Sequence, residues 1–354
     1  MKKSLFMLGV AVAALTSCTQ SEVLDIAESN VIKFDNAFVG KPTRAVTAPE
    51  LNNTKINDIY VFADKGNASV FGNNNWHVYR VAGQEWGYDG KLVPWENGNY
   101  TFIAYAGKEL STGNDDNKVE YNSSVVNSLK FTNITIDNNS QYDLLYSKAI
   151  ERNITGSSDD KSEIQFTFNH LLSMVQFTLN SGFGKDVKLT ISDFKFYGVK
   201  TKETFTGDNN GDGTWTSTST RNAVSSNPFT AATNPADVAQ YHPTDPKSVV
   251  NSWFVIPQKN YDDENVSGDP VEMVQFTVVA NDGTNSEEKV ITAKLPRITW
   301  KKGYRYNYIL NIDPTAMGIE DKYITFGDPT VTPLEDSSDT TVESDDYTAT
   351  DPQP

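Results

Sequence analysis

The sequence predicts an all-β protein built as two tandem antiparallel β-sandwiches, and three observations carry that prediction. Apolar residues recur with a period of two rather than 3.6, turn-forming clusters separate the periodic runs, and no helix-period stretch of useful length is present. Tyr304, Tyr306, Tyr308, Leu310 and Ile312 alternate with Arg305, Asn307, Ile309 and Asn311. Shorter runs of the same kind are Ile164, Phe166, Phe168; Val175, Phe177, Leu179; Val187, Leu189, Ile191; and Val274, Phe276, Val278. Successive strand side chains point to opposite faces, so each run buries one face and wets the other. Turns are expected at Gly72-Asn73-Asn74-Asn75, Asn209-Asn210-Gly211-Asp212-Gly213 and Asn281-Asp282-Gly283, where Asn, Asp and Gly tolerate the required dihedrals.

The chain has 354 residues, enough for about two domains. The polar stretch Gly156-Ser157-Ser158-Asp159-Asp160 suggests the boundary, giving an N-terminal sandwich over 45–158 and a C-terminal one over 159–334. Residues 335–354 hold seven acidic residues and no Lys or Arg, a composition too polar to offset its ordering entropy, so this tail is expected to be disordered.

The other end reads as an export signal. Lys2 and Lys3 precede an apolar run from Leu5 to Leu15, which has the size of a signal-peptide core and is too short to span a bilayer. Leu15-Thr16-Ser17-Cys18 follows and resembles the lipobox of bacterial lipoproteins. That resemblance implies removal of residues 1–17 by a cut between Ser17 and Cys18, and a lipid on the Cys18 thiol. Cys18 is the single Cys, so no internal disulfide is available and stability must come from packing. The formal charge of −16 becomes −18 once Lys2 and Lys3 leave. Such acidity argues against a nucleic-acid partner, whose phosphates require Lys and Arg. It suits a surface protein that resists nonspecific association. Residues 18–44 form a polar leader with one strand-like piece in which Ile32, Phe34 and Phe38 share a face.

Signals for catalysis and cofactors are poor. His77, His170 and His242 lie in no metal-type spacing, and no nucleophile elbow, P-loop or dinucleotide fingerprint is present. Carboxylates are plentiful, but no acid–base pair stands out from chance, so the chain is not read as an enzyme and no cofactor is expected. Asp208, Asn210 and Asp212 match the opening of a calcium loop, in which alternate oxygens converge on a hard cation. The twelfth position is Ser219 instead of a bidentate Glu, so the stretch reads as a polar hairpin turn between Phe205 and Trp215. His170, in apolar company, is expected to be a core residue with a hydrogen-bond partner. Trp76, Trp86 and Trp95 could stack on sugars, although core packing is the more common use of such rings.

Taken in order, several segments resemble the fimbrillins, subunits of type V pili and related surface lipoproteins of anaerobic Gram-negative bacteria. They are the lipobox, Ile32-Lys33-Phe34, Thr43-Arg44-Ala45, Ile59-Tyr60-Val61-Phe62 and Gly98-Asn99-Tyr100-Thr101-Phe102-Ile103-Ala104-Tyr105. Asp143-Leu144-Leu145-Tyr146, Phe166-Thr167-Phe168-Asn169-His170, Phe254-Val255-Ile256-Pro257-Gln258 and Gly303-Tyr304-Arg305-Tyr306 continue the series. The resemblance implies transthyretin-like Greek-key sandwiches, a lipid-anchored precursor on the outer membrane, and a cut between Arg44 and Ala45. The strand of Ile32, Phe34 and Phe38 would then be released and replaced by a strand from another pilus subunit. The processed protein would reside in the fimbrium as a cell-adhesion component, with its surface ligand unknown. Val342 and Tyr347 are the sizeable apolar residues of the tail, a poor donor strand, which leaves stalk, tip and accessory roles open. A competing reading is a permanently anchored cell-surface glycan-binding lipoprotein.

Overall fold

A computed structural model describes residues 30–35, 38–39, 56–66, 68–71, 75–80, 85–113, 116–121, 127–156, 161–181, 187–216, 221–222, 227–231, 248–259, 273–296, 298–312, 324–325 and 329–334. The described chain is almost entirely β. Its first half contributes β1 (Phe38–Val39), β2 (Asp58–Lys65), β3 (Ala68–Ser69), β4 (Trp76–Tyr79), β5 (Gly87–Tyr88), β6 (Gly98–Ala106), β7 (Lys118–Tyr121), β8 (Leu129–Thr135), β9 (Leu145–Ser147), β10 (Ile150–Ile154) and β11 (Thr167–His170). Its second half contributes β12 (Ser173–Ser181), β13 (Lys188–Tyr197), β14 (Lys202–Gly207), β15 (Gly213–Thr216), β16 (Phe229–Thr230), β17 (Ser248–Val255), β18 (Met273–Asn281), β19 (Ser286–Lys294), β20 (Tyr304–Ile312), β21 (Ile324–Thr325) and β22 (Thr330–Pro333). Among the described residues no helix is long and apolar enough to cross a membrane.

These strands form four sheets. The largest runs β1-β11-β9-β6-β2-β4-β5, with β10 added to β6 and β3 to β2. A second runs β15-β14-β8-β7, a third β17-β12-β20-β22 and a fourth β16-β13-β18-β19-β21. Pairing is antiparallel except for β1 with β11, β12 with β20, and β19 with β21. The all-β, largely antiparallel class expected from the period-two pattern is therefore the one found. β20 and β18 are the clearest examples: Tyr306, Tyr308 and Ile312 of β20, and Val274, Phe276 and Val278 of β18, are buried in one shared core. That core lies between the third and fourth sheets and also takes in Phe177, Phe196 and Trp253.

The largest sheet is buried on both faces, which explains why β2 and β6 read as nearly unbroken apolar runs. Ile59, Val61 and Ala63 of β2 enter one core with Phe102, Ala104, Ile164, Phe166 and Phe168. Tyr60 and Phe62 of the same strand enter another, with Tyr105 and Tyr146 of this sheet and Phe131 and Phe205 of the second sheet. Hydrogen bonding passes across position 158: β11 pairs with β9, and the β14–β15 hairpin pairs with β8. One side-chain amide ties the halves further. Gln141 donates to the Phe254 carbonyl at 3.1 Å and accepts the Phe254 N–H at 2.8 Å, substituting for a neighbouring strand at that edge of β17.

Candidate functional site

The leader segment, residues 30–35 with β1, is the element whose placement bears most on function. It is hydrogen-bonded on both sides. On one side the Ile32 N–H donates to the Val93 carbonyl and the Trp95 N–H donates to the Asn30 carbonyl, both at 2.8 Å. On the other the Ile164 N–H donates to the Lys33 carbonyl at 2.8 Å and the Asp35 N–H donates to the Ile164 carbonyl at 3.0 Å. Further along, Phe38 and Val39 run parallel to Thr167 and Phe168. The leader therefore bridges the 93–95 segment and the extended segment from Ile164 into β11, closing one wall of the core made by β2, β6 and β11. Taking it away would leave orphaned backbone groups on two neighbours at once, each costly if buried.

Its side chains follow the alternation expected of a strand. Ile32 and Phe34 are buried, at 0% and 4% exposure, while Lys33 between them is exposed. The Phe34 ring sits in an aromatic box. Phe166 stacks on it at 6.2 Å, Tyr88 and Phe102 meet it edge to face at 5.8 and 6.4 Å, and Phe71 is tilted at 6.4 Å. These are the favoured arrangements for ring quadrupoles. The Tyr88 hydroxyl clasps the strand: it donates to the Ile32 carbonyl at 3.0 Å and accepts the Val93 N–H at 3.2 Å. Burial pushes the Tyr88 phenol up from its ordinary range. Lys161 donates to Asn30 Oδ1 at 2.7 Å and Gln165 donates to Asp35 Oδ2 at 3.2 Å, adding polar ties at either end.

Some of this seat escaped the reading of the sequence. Val31, also buried, packs opposite the Ile32 face, and Pro94, its bridge partner, carried no recognisable strand pattern. Tyr88 stands in none of the alternating runs or motifs of the sequence. Of the predicted site residues, Ile32 and Phe34 come together in one core, and Phe38 lies in β1, its backbone paired in parallel with Thr167. Ser17, Cys18, Arg44, Ala45 and His242 lie outside the described residues, as does the acidic tail.

The remaining candidates have definite surroundings. His170 is buried, and its Nδ1 lies 3.0 and 2.9 Å from the two carboxylate oxygens of buried Asp143, so the two quoted segments that contain them meet at this pair. Gly107 lies against the same stretch. It has φ +112°, and a Cβ there would fall 1.7 Å from the Asp143 carbonyl oxygen. His77 is surface-exposed beside Asp58, at 2.8 Å, and stacks on Tyr60. Burial, with help from Glu109 and Asp58, pushes the Tyr60 phenol up to about 12.

The Asp208–Gly213 stretch closes the β14–β15 hairpin, with Phe205 directly opposite Trp215. Asp208 Oδ1 accepts the N–H groups of Asn210 and Asp212 at 2.8 and 3.0 Å. The Asp212 carboxylate accepts the Gly213 N–H and contacts the Lys302 ammonium. Both carboxylates are thus engaged by the protein itself, and burial lowers the Lys302 pKa against the opposing pull of Asp208. Among the described residues no group of three or more His, Cys, Asp or Glu could hold a metal ion. Gly211 allows the loop to lie flat on the first half, since a Cβ there would come within 2.7 Å of the Lys148 nitrogen.

Comparison with known proteins adds to this geometry. A family model described as fimbrillin-like matches residues 43–333. The chain belongs to the fimbrillin-like family. The match begins four residues after Val39, the end of β1, and runs to the last residue of β22. Among solved structures the chain is similar to a candidate cell adhesion protein of Bacteroides ovatus, at 15% identity and TM-score 0.48, covering 86% of this chain and 98% of that one. A candidate cell adhesion protein of Bacteroides uniformis shares 16% identity at TM-score 0.43, over 87% of this chain and all of its own length. One from Parabacteroides distasonis shares 11% at TM-score 0.41, over 86% and 96%. No curated protein matches the chain.

Proposed function

We propose that this fimbrillin-like protein is a pilus subunit, or a tip or accessory component, that serves in cell adhesion and assembles by exchanging its leader strand. In this reading the precursor is cut between Ser17 and Cys18, carries lipid on Cys18, and sits on the outer membrane. A protease then cuts between Arg44 and Ala45, the leader with Ile32, Phe34 and Phe38 departs, and a strand of another pilus subunit takes its place in the fimbrium. The proposal is of a structural protein: no step requires catalysis or a cofactor. It treats 45–158 and 159–334 as the two sandwich units, 18–44 as the removable leader and 335–354 as a tail.

The single observation that carries this reading is the two-sided seat of the leader. A segment that ends a few residues before Arg44 supplies two fully enclosed apolar side chains and completes the hydrogen bonding of two neighbours. Burying Ile32 and Phe34 contributes roughly 3–6 kcal/mol, at about 1.5–3 kcal/mol per side chain. A chain deprived of them would expose an apolar slot and open backbone, which an incoming strand relieves.

The glycan-binding alternative draws less support. Trp95 is 4% exposed, the Trp76 face lies on Phe71 at 4.0 Å, and Arg80 sits over Trp86, so these rings are already occupied. Two variants test the proposal. Cys18→Ala is expected to lose lipid labelling and membrane retention. Arg44→Ala is expected to resist trypsin-like cleavage and to stay monomeric by light scattering, while the cleaved parent forms larger species with partner subunits. Equal assembly by the uncleaved variant contradicts strand exchange.

A further inference from the structure

We infer that the leader's seat reads the sequence of the strand that occupies it, and that the aromatic box around Phe34 does the reading. The partner it fits is an extended peptide with an aliphatic residue at the position of Ile32 and a phenylalanine two residues later, running parallel to the chain from Ile164 to Phe168. The inference rests on the strand-exchange reading above and deepens it by naming what a replacement strand must carry.

The leader itself is the template. Its backbone bonds to Val93, Trp95 and Ile164 are available to any extended chain and so carry no sequence information. Position 33 is exposed and is read by nothing, whereas position 32 is wholly enclosed. Position 34 is where chemistry discriminates. Four rings, those of Phe71, Tyr88, Phe102 and Phe166, meet Phe34, one stacked, two edge to face and one tilted. An aliphatic side chain fills part of that volume but has no ring to stack on Phe166 or to form the two edge-to-face pairs, and alanine leaves a cavity. The box also fixes register. A strand slipped by one residue would turn its aromatic to the solvent side and bring its next side chain into the slot. Tyr88 reinforces the choice, because its ring forms one wall while its hydroxyl binds the carbonyl two residues earlier on the same strand.

The test uses the full chain with a site-specific protease sequence in place of residues 41–44, so that the cut does not depend on Arg44. After cutting, the protein is incubated in mild urea with excess labelled peptides having the sequence of residues 29–40, and leader replacement is followed by native mass spectrometry. The parent peptide and a Lys33→Ala peptide are expected to enter equally well. A Phe34→Ala peptide is expected to bind at least about 100-fold more weakly, with Phe34→Leu between them. Equal entry of Phe34→Ala and parent peptides overturns the inference, as does a loss on Lys33→Ala matching that on Phe34→Ala. If even the parent peptide cannot enter, the seat is not a strand receptor and the inference fails. A parallel arm exposes the unaltered chain to a trypsin-like protease; failure to cut at Arg44 counts against the processing step while leaving the peptide result to stand.

Discussion

Phe34→Ala in the uncleaved chain probes the leader most sharply. The ring is 4% exposed and meets four aromatic neighbours from four separate segments, so little rearrangement can refill the space. Truncating a buried phenylalanine costs about 3–5 kcal/mol through lost transfer free energy and the cavity left behind. For a cooperative unit of 150–250 residues, about 2–4 °C per kcal/mol converts this to a melting-point drop of roughly 6–20 °C. Lys33→Ala, one residue away and exposed, is the control and should change stability by less than about 0.5 kcal/mol. Thermal and urea unfolding of the three proteins decide the matter. A Phe34→Ala protein that melts with the parent would mean that the leader does not complete the core, and the account of its seat would be wrong.

Three further outcomes are expected. Gly107→Ala should destabilise by at least about 3 kcal/mol and yield little soluble protein on expression, because φ is +112° and the added Cβ meets the Asp143 carbonyl oxygen. His170→Ala should cost about 1–3 kcal/mol in urea unfolding by removing the imidazole that bonds the buried Asp143 carboxyl, and no measurable loss would refute the pairing. Alkaline titration should destabilise the fold. The folded Tyr60 phenol lies at about 12 against an ordinary 10.0, so its contribution is complete below pH 10 and is lost as pH rises toward 12; Tyr105 and Tyr146, raised by burial, act in the same direction. Phenolate absorbance and unfolding midpoints across pH 9–12 report this, and Tyr60→Phe should make the decline shallower.

Much of the fold was legible because strands announce themselves by alternation. β18 sends Val274, Phe276 and Val278 into one core, and Val175 and Phe177 of β12, Leu189 and Ile191 of β13, and Tyr306 and Tyr308 of β20 enter it too, as their alternation says. The hairpin around Asp208 was legible from Asn-Gly and Asp-Gly chemistry. What alternation could not reveal is which strand lies beside which. The β14–β15 hairpin joins β8 across some 70 residues of chain, and β12 pairs in parallel with the distant β20. Such pairings are settled by the summed fit of whole faces, for which no local pattern exists. The candidate site divides the same way. Ile32 and Phe34 were visible as a strand face, while Tyr88, Val93 and Pro94 were not, because each acts through a contact with a residue more than 50 positions away. The Asp143–His170 pair lies between these cases: both residues stood in recognisable segments, but only the folded chain brings the carboxylate to the imidazole.

The central claim is that the leader is a removable strand of a lipid-anchored precursor. The most direct measurement is the N-terminal sequence and intact mass of the protein taken separately from cell membranes and from shed surface filaments. The account predicts a lipid-modified Cys18 N-terminus in the membrane fraction and an unmodified Ala45 N-terminus in the filaments. A lipidated Cys18 N-terminus in both, with residues 18–44 retained in assembled material, would contradict it.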